Sequence, residues 1–285
     1  MDNILVTVIL NTYNRPADLS RALSSVVNQT YKNLEILVVD GKGLQETRIL
    51  VGRFAVKDSR ISYIPTLRGK KTSALYGSVQ AARNYGLTLA KGKYVAMLDD
   101  DDYWESNKIE QQVFYAEVND AALTSCQMKI HGDTHIDKPR VTPVYEDLLK
   151  SFNMSCTSSY FLNRKILNRI GGFDESLRSM HEYDIALELA RKGYMIYVVQ
   201  QPLMTMTRNN AKDREFYYIK IAEVFDLYRL YGKDMLTYLG ARGFVFNVVK
   251  SSLLVLLFLM GFFVKEKVWG IILKLKNMYQ EDKNA

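Results

Sequence analysis

Within the first hundred residues, short apolar runs alternate with amphipathic stretches, and that alternation confines the chain to an α/β architecture with a parallel or mostly parallel sheet. Ile4 to Leu10 is apolar and partly β-branched and reads as a buried strand. Pro16 suits a first helical position, and Leu19, Ala22, Leu23, Val26 and Val27 follow at the spacing of one helix face. Leu34 to Val39, apolar apart from Glu35, reads as a second strand covered on both faces. Ile61 to Ile64 reads as a third. A helix is predicted from about Ser73 to Ala90, weakened at Gly77 and Gly86, and Tyr94 to Leu98 is a further buried strand. Crossovers of this kind are right-handed, and ligands of such sheets sit beyond the carboxyl ends of the strands. Those ends are polar here. Leu10 runs into Asn11-Thr12-Tyr13-Asn14, Val39 into Asp40-Gly41, and Leu98 into Asp99-Asp100-Asp101-Asp102.

From about Glu105 to Arg214 the pattern is more mixed. A helix is expected near Asn107–Val118, then a Pro-containing loop around Lys138 to Pro143, a turn cluster at Gly171-Gly172-Phe173-Asp174-Glu175, and a helix from Tyr183 to Lys192 that stops at Gly193. The tail differs. Phe244 to Val264 is interrupted only by Asn247, Lys250, Ser251 and Ser252, but its unbroken apolar part, Leu253 to Val264, is shorter than the roughly 20 residues of a spanning helix. Val268 to Met278 is amphipathic and carries Lys274 and Lys276. Of the formal net charge of +7, +4 lies between Arg242 and Ala285. A basic excess beside the most apolar run favours an anionic membrane surface over nucleic acid as partner, and an interfacial or re-entrant helix over a span or a plain buried helix. The run Ile4 to Leu10 is too short, and too poor in preceding basic residues, for a signal peptide. Two cysteines, Cys126 and Cys156, are too few for a disulfide framework or structural zinc, and three histidines argue against a histidine-rich metal site.

The aspartate run carries the chemistry. Each close pair of carboxylates costs about 1 kcal/mol in water and more in a partly dry crevice. Directly after a buried strand, such a run calls for a positive partner. Carboxylate oxygens without thiolate or imidazole favour Mg²⁺ or Mn²⁺, and a dication with open positions can take the oxygens of a diphosphate leaving group. If strand geometry persists, Asp99 and Asp101 share one face and Asp100 and Asp102 the other. The competing reading is a helix N-terminus favoured by Asp101 and Asp102. A dinucleotide-binding Rossmann domain is disfavoured, because no G-x-G-x-x-G follows the first strand.

The chain also resembles a family. Val6-Thr-Val-Ile-Leu-Asn-Thr-Tyr-Asn-Arg-Pro16, Val26-Val-Asn-Gln-Thr-Tyr-Lys-Asn-Leu-Glu-Ile-Leu-Val-Val-Asp40, Ala82-Arg-Asn-Tyr-Gly86, Lys91-Gly-Lys-Tyr-Val-Ala-Met-Leu-Asp-Asp-Asp-Asp-Tyr-Trp104, Gly171-Gly-Phe-Asp-Glu175 and His181-Glu-Tyr-Asp184 occur in the order of a family 2 glycosyltransferase. The resemblance covers about residues 4 to 210. It implies an α/β GT-A (nucleotide-diphospho-sugar transferase) fold with a mainly parallel central sheet, plus a C-terminal helical membrane-associating extension. The expected division is a nucleotide-sugar-binding half over 1–104, an acceptor-binding half over 105–215 and a membrane-associating tail over 216–285. The implied activity is inverting, metal-dependent transfer of a sugar, from a nucleotide-diphospho-sugar such as a UDP-hexose, to a lipid-linked (polyprenyl diphosphate) saccharide. That chemistry serves O-antigen, capsule or exopolysaccharide synthesis at the cytoplasmic face of the plasma membrane, with the protein peripheral or tail-anchored. Alternatives are a nucleotidyltransferase or a non-catalytic membrane-bound subunit that binds nucleotide-sugar.

By the same resemblance, Asp101 and Asp99 hold Mn²⁺ or Mg²⁺. Thr12, Tyr13, Asp40, Arg83, Asp99, Asp100 and Arg208 attend the donor, and Glu182 stands where the family keeps its general base. Transfer to a sugar hydroxyl needs such a carboxylate opposite the leaving diphosphate. Four departures stand out. Gly41 replaces the second of two base-recognising aspartates, which weakens the usual UDP assignment. Glu182 replaces the usual aspartate. The segment Met206-Thr207-Arg208-Asn209-Asn210 lacks a histidine often found after the last strand, for which Arg208 could substitute as a phosphate clamp. The Gln-x-x-Arg-Trp motif of processive synthases is absent, which favours a transferase adding one sugar per encounter.

Overall fold

Apolar, β-branched segments gather into one eight-stranded mixed sheet. The computed structural model describes residues 3–66, 78–133, 136, 139–150, 154–177, 180–207, 226–245 and 248. The strands are β1 (Val6–Thr12), β2 (Leu34–Asp40), β3 (Ile61–Pro65), β4 (Tyr94–Asp99), β5 (Tyr103–Trp104), β6 (Leu123–Ile130), β7 (Phe161–Asn163) and β8 (Ile196–Met206). Their order is β3-β2-β1-β4-β7-β6-β8-β5. β1 to β4 are mutually parallel where they pair, as the alternation predicts. β7 runs antiparallel to β4 and β6, β6 and β8 are parallel, and β5 is antiparallel to β8. The helices are α1 (Pro16–Val27), α2 (Gln45–Ala55), α3 (Ser78–Leu89), α4 (Lys108–Val118), α5 (Tyr145–Lys150), α6 (Arg164–Arg169) and α7 (His181–Arg191).

Register delivers the polar strand ends to one edge. Thr12 pairs with Asp40 between β1 and β2, and Asn11 pairs with Asp99 between β1 and β4. β1 is buried throughout, which is why it can occupy the middle of the parallel half. Glu35, the polar exception in β2, accepts from the Thr7 hydroxyl at 2.6 Å and from the Lys91 amide at 2.9 Å, so its burial is compensated. α3 lies close against this sheet. A Cβ on Gly86 would stand 2.7 Å from Ile9 Cγ2, so the glycine that weakens the helical pattern is the point of closest helix–sheet approach.

Backbone contacts divide the chain into two compact units, 1–145, 153–176 and 181–209 in the first, and 146–152, 177–180 and 210–285 in the second. The first contains the whole sheet. In the second, most of α5 and a helix over 226–245 (α8) are described, with Tyr231 and Met235 buried. No helix among the described residues is long and apolar enough to cross a membrane. The apolar stretch 244–264 lies outside the described residues except for 244, 245 and 248, and 268–278 lies wholly outside. So do residues 73–77 of the helix predicted from about Ser73 to Ala90, whereas α2 has no counterpart in the sequence reading.

Candidate active site

β4 ends at Asp99, and the next residues turn. The Asp102 amide donates to the Asp99 carbonyl at 3.2 Å. Strand alternation therefore does not persist, and the expectation of two aspartates per face is replaced by a tight turn that fans the four side chains out. The helix-terminus reading also fails. β5 follows the turn, and α4 begins only at Lys108, with Asn107 as its N-cap.

Each aspartate has distinct partners. Asp99 Oδ1 and Oδ2 accept from Arg83 Nη2 at 2.7 and 2.9 Å, and its amide donates to Ser158 Oγ at 3.1 Å. Asp100 is buried and accepts from the Thr12 hydroxyl at 2.8 Å, the Tyr13 amide at 3.1 Å and Arg15 Nη1 at 3.3 Å. Asp101 Oδ2 accepts from the same Arg15 nitrogen at 2.6 Å, while Arg21 Nη2 reaches the Asp101 carbonyl at 2.9 Å. Asp102 is buried and accepts from the Thr207 amide at 3.0 Å, which ties the turn to the end of β8. Burial dominates the titration of this group of acids. It pushes Asp100 up to about 6 against its hydrogen bonds from Thr12 and Tyr13. Burial, with the charge of Asp99 next, pushes Asp102 up to about 7. Asp101 is raised as well, by burial first and against the pull of Arg15. Burial thus disfavours the charged form of these acids, and a positive partner near the turn favours it.

The neighbouring strand end is built differently. Asp40 is fully buried, and its carboxylate accepts from the amides of Lys42, Gly43 and Leu44 at 2.9, 2.9 and 3.1 Å and from the Tyr63 hydroxyl at 2.9 Å. Those four donors commit it to shaping the loop into α2. Gly41 donates its amide to the Thr12 carbonyl at 3.0 Å, and a Cβ there would stand 3.2 Å from Tyr13 Cδ2. The missing side chain leaves room for the exposed Tyr13 ring, over which Lys42 Nζ lies at 6.0 Å.

α3 braces the rest of the site through one face, at i, i+3 and i+4. Gln80 Nε2 lies 3.1 Å from His181 Nδ1, Arg83 holds Asp99, and Asn84 Nδ2 donates to the Phe173 carbonyl at 2.8 Å and to Glu175 Oε1 at 2.9 Å. The Asn84 carbonyl accepts from the Phe173 amide at 2.8 Å, so one amide side chain clamps the Gly171–Glu175 turn. Gly172 has φ +76° there, and a Cβ on it would meet Asn84 Oδ1 at 2.6 Å. Arg83 is 1% exposed, and its Nε and Nη1 find no hydrogen-bond partner among the described residues.

α7 starts at His181, two residues before the predicted start, so Glu182 lies in its first turn. Burial, with the charge of Arg83 next, holds His181 down at about 3, with Asp99 opposing. The imidazole is neutral at pH 7, so its Nε2, 3.1 Å from Glu182 Oε2, meets that carboxylate as a neutral neighbour and not as an ion pair. With Gln80 Nε2 donating to Nδ1, the proton of the neutral ring sits on Nε2, the nitrogen that faces Glu182. The Tyr160 hydroxyl donates to the Glu182 carbonyl at 3.0 Å. Glu182 and the aspartate turn share one neighbourhood: burial raises the Cys156 thiol well above its ordinary value, and Asp102, Asp99 and Glu182 all add to that shift.

Thr12, Tyr13, Asp99, Asp100, Asp101, Arg83 and Glu182 thus surround one edge of the sheet, Asp40 lies beneath its loop, and Arg208 lies outside the described residues. Arg15, Arg21, Gln80, Ser158 and the buried amide of Asn11 also belong to this edge and were not singled out from sequence. Arg15 was the most accessible of them, since it directly precedes Pro16 at the first strand end. Among the described residues, no group of three or more His, Cys, Asp or Glu is arranged to hold a metal ion. The oxygen-only donor set of the turn still fits a hard dication whose remaining positions are filled from outside the protein.

The family model described as glycosyl transferase family 2 matches residues 7–173. Two Escherichia coli proteins are similar. Against WfgD, a UDP-Glc:α-D-GlcNAc-diphosphoundecaprenol β-1,3-glucosyltransferase, identity is 34% over 171 residues, covering 59% of this chain and 64% of WfgD. Against WfaP, which carries the same description, identity is 32% over 188 residues, covering 65% of this chain and 69% of WfaP. The chain thus spans just under two thirds of WfgD. Staphylococcus aureus TarS 1-349 in complex with UDP-GlcNAc superposes with TM-score 0.60 at 17% identity, covering 79% of this chain and 67% of TarS. The mannosyltransferase PcManGT of Pyrobaculum calidifontis, in complex with GDP-Man and Mn²⁺, superposes with TM-score 0.58 at 21% identity, covering 80% and 63%. At that identity these likenesses show the fold, an α/β GT-A-like mixed sheet with helices.

Proposed function

Because the chain belongs to glycosyl transferase family 2, we propose that it is an inverting, divalent-cation-dependent enzyme that moves a hexose from a UDP-sugar to a saccharide carried on a polyprenyl diphosphate. The supporting observation is the one face of α3 from which Arg83 binds Asp99 and Gln80 reaches His181, the neighbour of Glu182. It lets an acceptor base and a diphosphate-binding acidic turn serve one crevice. Glu182 takes the proton of the acceptor hydroxyl. His181, neutral and braced by Gln80, stands beside that carboxylate and limits where it can lie. Attack from the Glu182 side, opposite the leaving diphosphate, inverts the anomeric centre. Asp101 and Asp99 would hold Mn²⁺ or Mg²⁺, which supplies charge neutralisation to the leaving UDP. Arg83, sealed behind Asp99, serves the donor by holding that carboxylate in place. Tyr13 offers its exposed ring to the base, Thr12 and Asp100 hold the loop that presents it, and Asp40 acts through the 42–44 backbone rather than by direct contact. Arg208 is proposed as a further phosphate clamp.

The descriptions of WfgD and WfaP, with UDP-Glc as donor and a diphosphoundecaprenol-linked GlcNAc as acceptor, support the hexose and lipid-linked parts of this reading. The basic, apolar tail would hold the crevice at the cytoplasmic membrane face. The test is a panel of nucleotide-sugars with a synthetic lipid-diphosphate acceptor, run with Mn²⁺, Mg²⁺ or EDTA. UDP release with a UDP-hexose, abolished by EDTA, is expected. Glu182→Gln should keep donor binding and lower kcat by about 10²–10⁴-fold. Retained transfer in that variant would remove Glu182 from the mechanism, and full turnover under chelation would remove the metal.

A further inference from the structure

Among the described residues three guanidiniums surround the aspartate turn, and they differ in one respect. Arg83 is sealed, at 1% exposure, with both Asp99 oxygens on one nitrogen. Arg21 binds the Asp101 backbone carbonyl and the Thr207 hydroxyl, at 2.9 and 3.3 Å, not a carboxylate of the turn. Arg15 alone lays one nitrogen between two carboxylates, 2.6 Å from Asp101 Oδ2 and 3.3 Å from Asp100 Oδ1, with a side chain 44% exposed. It caps no helix amide with its side chain, and it precedes Pro16 at the start of α1, so its side chain can leave for solvent without breaking a helix bond.

We propose, on the basis of the metal-dependent reading above, that Arg15 is the resident counterion of this turn, and that Arg15 and a divalent cation are alternative partners of Asp101, whose carboxylate the guanidinium bridges to that of Asp100. The reason is charge. A guanidinium and a dication within a few ångströms of the same two carboxylates repel each other, so a cation arriving alone must expel Arg15. When a nucleoside diphosphate arrives with it, the expelled guanidinium has a second anion to meet. Cation binding is then weak without diphosphate and strengthened by it, and by linkage the strengthening is reciprocal. Arg15 sets part of that coupling without being required for the fold.

Mn²⁺ titration of the full chain, followed by electron paramagnetic resonance with and without UDP, tests this without any turnover. Arg15→Gln is expected to tighten Mn²⁺ binding in the absence of UDP by about five- to tenfold, from the loss of one charge at contact distance. The same variant should shrink the UDP-induced gain by a comparable factor. Arg15→Lys, which keeps the charge, should stay within about twofold of wild type. Arg21→Gln should change Mn²⁺ affinity less than Arg15→Gln does. If Mn²⁺ binds wild type in the presence of UDP but Arg15→Gln leaves the UDP-free affinity unchanged or weaker, the counterion role is wrong and the metal reading stands. If wild type shows no saturable Mn²⁺ site even with UDP, the metal reading fails and takes this inference with it.

Discussion

Arg83→Gln isolates the contact on which the junction between β4 and the aspartate turn rests. The wild-type guanidinium is buried at 1% exposure, binds both oxygens of Asp99 at 2.7 and 2.9 Å, and lies 5.5 Å from the Phe173 ring centroid. Breaking a fully buried ion pair costs about 3–5 kcal/mol, because the abandoned charge keeps its desolvation. Asp99 is 33% exposed, so water relieves part of that penalty, and about 2–3 kcal/mol is the expected loss. For a protein of this size that lowers Tm by roughly 5–10 °C. Asp99→Asn should cost at least as much, because it strands the more buried partner. The double variant should be less destabilised than the sum of the singles by about 1–2 kcal/mol, the coupling expected of side chains in contact. Urea denaturation of all four proteins, read by circular dichroism, supplies the cycle. Additive single effects, or an Arg83→Gln loss below about 0.5 kcal/mol, would refute the reasoning, since the pair would then be no stronger than a solvated surface contact.

Two further outcomes follow from the site's supports. His181 is held at about 3 in the folded chain against an ordinary 6.5, so between those values the unfolded state takes a proton that the folded state refuses. Its contribution to stability is present above pH 6.5 and is lost as pH falls towards 3, at up to about 1.4 kcal/mol per pH unit. The difference between wild-type and His181→Gln stability curves should therefore narrow across that window, and parallel curves would contradict the neutral, buried imidazole. Gly172→Ala places a Cβ at positive φ and 2.6 Å from Asn84 Oδ1. A loss of about 1–3 kcal/mol is expected, and it should shrink in an Asn84→Ala background; an equal loss in both would show that the clash is not with Asn84.

Much of this protein was legible in the chain because local chemistry is written in periodicity. The apolar runs of β1, β2 and β4 were found to within two residues, since a strand buried on both faces has no other composition to choose. The polar cluster at each strand end likewise announced the edge where side chains converge, and the order of motifs identified the family. Partner choice was not legible. Asp40 is as acidic in sequence as Asp99, yet three loop amides and Tyr63 occupy one, while Arg83 and the turn shape the other. The alternation expected for Asp99 to Asp102 broke because a turn bond from Asp102 to Asp99 competes with the strand ladder, and no local pattern signals which wins. α3 reads as an ordinary amphipathic helix. Only the packed structure makes Gln80, Arg83 and Asn84 a brace across three separate segments, because those contacts join residues 16 to 101 positions apart. Sequence by itself therefore determined the four parallel strands, the family and the acidic edge. Tertiary packing decided which charge faces which, since burial sets the worth of each ion pair and depends on segments far away in the chain.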